Sequence, residues 1–131
     1  MITVLVDHNV EGQAALLLSA LATEGWLELG LFHLATFSDA GLPFDSSDRA
    51  VWQFIQDRKM LLLTGNRNMD GEDSLEQTIR SQNQPDSLPV VTIADINRIV
   101  EKPYREQCAL RLTEIALYLD QYLGAGRLYI P

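Results

Sequence analysis

Met60-Leu61-Leu62-Leu63-Thr64-Gly65-Asn66-Arg67-Asn68-Met69-Asp70-Gly71-Glu72-Asp73-Ser74 is the stretch whose reading decides the fold. Four apolar residues give way at once to a polar, glycine-punctuated segment. A run that short suits a strand buried on both faces better than a helix. The polar segment would then leave the carboxyl end of that strand, the edge where open α/β sheets place their ligands. The same grammar stands at the N-terminus, where Ile2 to Val6 is followed directly by Asp7-His8-Asn9.

Working outward, apolar strand-like runs alternate with helical patterns. Glu11 to Glu24 carries Ala14, Leu17, Leu18 and Leu21 at helical spacing, with Asn9 as the expected cap and Gly25 as the stop. Leu31 to Phe37 reads as a second strand containing His33, and Ser38 to Ser47 as a loop. Ser46 or Ser47 opens a helix with Asp48 in its first turn and Ala50, Val51, Phe54 and Ile55 on one face. Met60 to Leu63 is the third strand, Glu72 to Ser81 a helix, and Pro89 to Ile93 the fourth strand with Asp95 at its end. A short helix through Val100 precedes the longest one, Pro103 to Leu123, and Leu128 to Ile130 closes the chain as a brief strand. The order β-α-β-α-β-α-β-α-β predicts an α/β fold of three layers, a parallel sheet with helices on both faces.

The 131 residues fit one domain, residues 1–131, and the hydrophobic fraction of 47% places it among globular chains. No apolar run approaches the roughly 20 residues of a membrane span. There is no basic-then-apolar leader, and the single cysteine, Cys108, rules out an internal disulfide, so the expected compartment is the cytoplasm. The formal net charge of −8 repels phosphate backbones and weighs against tight RNA or DNA binding. It weighs less against a metal site, because clustered carboxylates are what hard cations require.

A parallel sheet gathers the carboxyl ends of its strands at one edge. Asp7, His8, Asn9, Thr64, Asn66, Asn68, Asp70 and Asp95 would meet there, with Asp39 and Asp48 joining from neighbouring loops. Converging carboxylates could hold Mg²⁺ or Mn²⁺ and activate a water for attack on a phosphodiester. The same residue types are also favoured as caps and turns for purely local reasons. Both readings stand at this point.

Val-Leu-Val-Asp-His-Asn at residues 4–9, Ser-Ser-Asp at 46–48 and Leu-Leu-Leu-Thr-Gly-Asn-Arg-Asn-Met at 61–69 together resemble the small stand-alone PIN-like proteins of bacteria. The resemblance covers about residues 1–95; residues 103–131, a helix and a strand, lie beyond it. It implies a sheet of strand order 3-2-1-4-5 and metal-dependent ribonuclease activity, often as the toxin of a toxin–antitoxin pair. Asp7 and Asp48 match the family's first two acids and become the expected catalytic pair. With Asp70 as a late substitute they form the expected metal set, and His8, Asn9, Thr64, Asn66 and Asn68 form the periphery. Asn66 and Asn68 occupy positions where the family carries aspartates, and amides supply no charge to a hard dication. A second reading follows: a catalytically inactive PIN-like module that binds a protein partner such as an antitoxin, or pairs with itself as a homodimer.

Other chemistries lack their motifs. A haloacid-dehalogenase-type phosphatase needs an acid two residues after its nucleophile, where Asn9 stands. No Gly-x-Ser-x-Gly elbow and no phosphate-cradling glycine loop occur. Cys108 has the spacing of a packing residue.

Overall fold

Strand pairing begins at the centre. In the computed structural model, which describes residues 1–66, 71 and 74–131, β1 (Ile2–Val6) has a parallel neighbour on each side. One is β2 (Phe32–Ala35), which ends that side of the sheet; the other is β3 (Leu61–Thr64), followed outward by β4 (Val90–Ile93) and β5 (Arg127–Ile130). The five strands are all parallel in the order β2-β1-β3-β4-β5. The α/β, three-layer expectation holds, but the strand order 3-2-1-4-5 does not. Between Ala35 and Leu61 the chain forms only helices, so no further strand is available to lie outside β2. It crosses over β1 to reach β3 instead.

Alternation along the strands builds two cores. Val4, Val6, Leu61, Leu63, Val91 and Ile93 face α1 (Glu11–Thr23) and α5 (Lys102–Leu117). Leu5, Leu62 and Val90 face α2 (Phe37–Ala40), α3 (Asp48–Arg58) and α4 (Leu75–Gln82). The inner strands are buried on both faces, which is why their runs are uninterrupted rather than alternating. Truncating Leu63, wholly shielded from solvent, to alanine is expected to cost about 2–5 kcal/mol.

Handedness sets α5 apart. The β1–β2 connection runs leftward with α1 on one face, and β2–β3 and β3–β4 run rightward with helices on the other; these three share one hand. The β4–β5 connection also runs rightward, yet α5 lies on the α1 face. Its hand is therefore the reverse of the others, a rare arrangement in parallel sheets. Burial explains it: α5 presents Cys108, Leu112 and Ile115, all fully enclosed, to α1 and the sheet. The far face of β5 is left thinly covered, and Tyr129 remains 45% exposed.

Local differences from the sequence reading have local causes. Asn9 caps nothing; Asp7 caps a 3₁₀ turn at His8–Val10 through the Asn9 amide, and this turn leads into α1. The second strand stops at Ala35, short of the expected Phe37, because Thr36 and Asp39 form a reciprocal capping box that starts α2 at Phe37 and carries it into the expected 38–47 loop. The hydrogen bonds from Thr36 hold the Asp39 carboxyl below its ordinary range. Ser47 is the cap of α3 and Ser74 the cap of α4, which runs from Leu75; the expected helix start at Glu72 lies outside the described residues. The long helix ends at Leu117, and Leu119–Gln121 continues as a 3₁₀ turn. No helix among the described residues is long and apolar enough to cross a membrane.

Cys108 gives a test of the α5 packing. Burial pushes its thiol up to about 12, outweighing a hydrogen bond with Tyr104 and the nearby positive charge of Arg98. At about pH 8 the folded chain should resist iodoacetamide and react only when unfolded. Because the folded pKa is raised, the associated stability is present below the unfolded value of about 8.5 and is lost as pH rises toward 12. A thermal midpoint no lower at about pH 10.5 for wild type than for Cys108→Ala, each relative to pH 7, would contradict this assignment.

Candidate functional site

The order 2-1-3 places a topological switch between β1 and β3, and the crevice of an open sheet forms at such a point. Val6 pairs with Leu63, so the next residues outward, Asp7 and Thr64, leave the sheet side by side. The Asp7 amide donates to the Leu63 carbonyl at 2.9 Å, extending the pairing by one bond. Thr64 donates its hydroxyl to Asp7 Oδ2 at 2.7 Å and accepts the Asn66 amide at 2.9 Å. Asp7 Oδ1 accepts the Asn9 amide at 3.2 Å.

Asp48 arrives from the other face. Ser47 takes the capping role, accepting from the Ala50 amide at 3.1 Å, which leaves the Asp48 carboxylate to turn inward. Its Oδ2 accepts from Asn66 Nδ2 at 3.0 Å and from the Leu75 amide, the first of α4, at 3.1 Å. A continuous relay therefore runs Asp7–Thr64–Asn66–Asp48. Both carboxylates line one cavity of about 60 Å³, walled by Phe37 and Phe44 and completed by Asn9 and Ser46. That is room for a small ion or about two waters. The positive ends of α3 and α4 point at it and favour negative charge there.

Two devices hold the loop after β3. Gly65 carries no unusual φ; a Cβ on it would lie 2.5 Å from Ile96 Cγ2 and 3.3 Å from Val10 Cγ1. Gly65→Ala should therefore cost about 1–3 kcal/mol by overpacking, read as a lower melting temperature. Arg127, at the start of β5, reaches across β4. Its Nη1 donates to the Asn66 carbonyl at 2.7 Å and to Thr92 Oγ1 at 2.7 Å, while Nε and Nη2 donate to Glu76 Oε2 at 3.2 and 3.0 Å.

The structure brings together Asp7, Asn9, Asp48, Thr64 and Asn66. His8 stays at the rim, stacked on Phe44 with ring centroids 4.1 Å apart and within 3.4 Å of Glu11. Asp95 caps the Ile96–Val100 turn, Asp39 belongs to its capping box, and His33, exposed on β2, bonds to Thr3 on β1; none lines the cavity. Asn68, Asp70 and Asp73 fall outside the described residues. Among the described residues no group of three His, Cys, Asp or Glu is placed to hold a metal. Sequence reading missed Phe44, which carries no motif, placed Ser46 only in the Ser-Ser-Asp helix start and not in the cavity, and missed Arg127, whose signal was a lone charge opening an apolar strand. Comparison of the chain with family models, curated proteins and solved structures finds no match.

Proposed function

We propose that this edge is a cation-dependent phosphodiesterase site acting on RNA, as the resemblance to small PIN-like proteins implies. The observation carrying the proposal is that Asp7 and Asp48, from opposite faces of the sheet, line one polar cavity. Carboxylate, amide and hydroxyl oxygens are the donors that Mg²⁺ or Mn²⁺ prefers, so the residue set fits such an ion. Asp7 and Asp48 would hold it, and the chemistry it supplies is Lewis-acid activation of water at phosphorus. Thr64 orients Asp7, while Asn66 and the Leu75 amide orient Asp48. Phe37 and Phe44 restrict water access on the cavity's apolar side.

The second reading is a non-catalytic module that binds a protein partner. Its support is that both oxygens of Asp7 and one of Asp48 already accept hydrogen bonds from the chain itself, as in a structural polar cluster. The strand order also departs from the PIN arrangement.

Melting curves with millimolar Mn²⁺, paired with cleavage of a labelled single-stranded RNA, separate the two. Catalysis predicts a rise equivalent to about 2–3 kcal/mol at a hundredfold excess over the dissociation constant, with cation-dependent cleavage. Neither stabilisation nor cleavage would leave the binding module as the function.

A further inference from the structure

At the opposite, amino edge of the sheet lies a larger groove of about 690 Å³, within the range of ligand-sized clefts. Its apolar floor is Ile2, Leu88, Leu119 and Leu123, drawn from the start of β1, the loop before β4 and the segment after α5. Three carboxylates, Asp57, Asp86 and Asp120, stand around that floor against one cation, Lys59. All four are exposed. Among the described residues, none of the three carboxylates has a hydrogen bond or ion pair with its side chain. An apolar floor with a net rim charge of −2 (three carboxylates less one lysine) is complementary to leucine-like anchors flanked by Lys or Arg.

The walls are held rigidly. Gln56 clamps Leu88 from both sides, donating to its carbonyl and accepting from its amide, each at 2.8 Å. The Gly124 amide donates to the Ser87 carbonyl at 2.8 Å, and a Cβ on Gly124 would lie 2.7 Å from the Pro85 carbonyl oxygen. A preformed groove spares the ordering cost of binding. Net charge disfavours a second copy of this chain as occupant, since each copy carries −8.

We propose that this groove docks a basic amphipathic segment of a partner protein, with its apolar side chains on the leucine floor and its cationic ones on Asp57, Asp86 and Asp120. The interaction is independent of chemistry at the carboxyl edge.

The test uses fluorescence anisotropy of a labelled amphipathic peptide of leucines and lysines, with Leu/Glu and Ser/Lys peptides as controls. The full chain should bind the Leu/Lys peptide at least about tenfold more tightly than either control, because floor and rim both contribute. The triple variant Asp57→Asn, Asp86→Asn, Asp120→Asn should lose about tenfold or more in affinity. A charge-matched control, Glu24→Gln, Glu28→Gln, Asp45→Asn, should lose under threefold. Equal losses would show general attraction to an acidic chain and overturn the proposal, as would no binding or equal binding of the Ser/Lys peptide. Hydrogen exchange of the wild-type chain needs no variant: protection at 84–88 and 119–124 supports the groove, and protection confined to residues near Asp7 and Asp48 refutes it. Self-association abolished by the triple variant would name a second copy as occupant, and would also overturn it.

Discussion

Replacing Arg127 with alanine lowers stability by about 2–4 kcal/mol, a fall in melting temperature on the order of 10 °C for a chain of this size. The Arg127 side chain is only 8% exposed, and its guanidinium makes four hydrogen bonds, to Glu76 on α4, Thr92 on β4 and Asn66 after β3. Its removal strands Glu76 and the Asn66 carbonyl, and stranded partners cost more than the pair itself contributes. The figure stays below the fully buried limit because Glu76 is 24% exposed and keeps Arg80 at 3.6 Å. Arg127→Lys should recover less than half, since an ammonium cannot reproduce the planar fork. A double-mutant cycle with Glu76→Gln isolates the pair. A drop of less than about 2 °C in Arg127→Ala would show that the clamp is dispensable.

Asp7→Asn is expected to abolish cation-induced stabilisation and to lower RNA cleavage by about 100-fold or more. The change is isosteric, so its effects come from charge and hydrogen-bond polarity. Asp7 accepts from two donors, the Asn9 amide and the Thr64 hydroxyl. An asparagine has one oxygen to offer, so it satisfies one of them and turns an NH₂ group toward the other. Asp7→Asn should therefore also cost about 1–2 kcal/mol without any cation, because an acceptor is lost in a part-buried site. Thr64→Val separates the terms: it removes the relay's hydroxyl while keeping the Asp7 charge, so a cation response should persist. Cleavage by Asp7→Asn at wild-type rates would end the nuclease proposal.

Sequence alone was strong for elements and weak for their arrangement. All five strands stand within a few residues of where apolar runs and turn residues predict them, most sharply β3 and β4, where double-sided burial leaves a direct mark on the sequence. Asp7 and Thr64 were legible as residues of the carboxyl edge, since each follows or ends an apolar strand; that they stand side by side was not, because the expected order 3-2-1-4-5 kept β3 away from β1. The expected Asn9 cap failed because Asp7, two residues earlier, caps a 3₁₀ turn that contains Asn9, and α1 begins only after Val10 with no side-chain cap. The clamp by Arg127 reaches the site from a segment remote in sequence, and Phe44, though close to Asp48 in the chain, carries no motif, so no local pattern could reveal either.

What the chain's sequence determined by itself is the succession of strands and helices and the discharge of acids and amides at one sheet edge. Those follow from local spacing, where periodicity is set by backbone geometry. The tertiary structure alone decided the order 2-1-3-4-5, the reversed hand of the α5 crossover and the joining of Asp7 to Asp48 through Thr64 and Asn66. Each depends on which faces bury one another across long separations. The Met60–Ser74 stretch shows both sides: its strand is readable from four apolar residues, but Asn66 acquires its role only when α3 brings Asp48 to it.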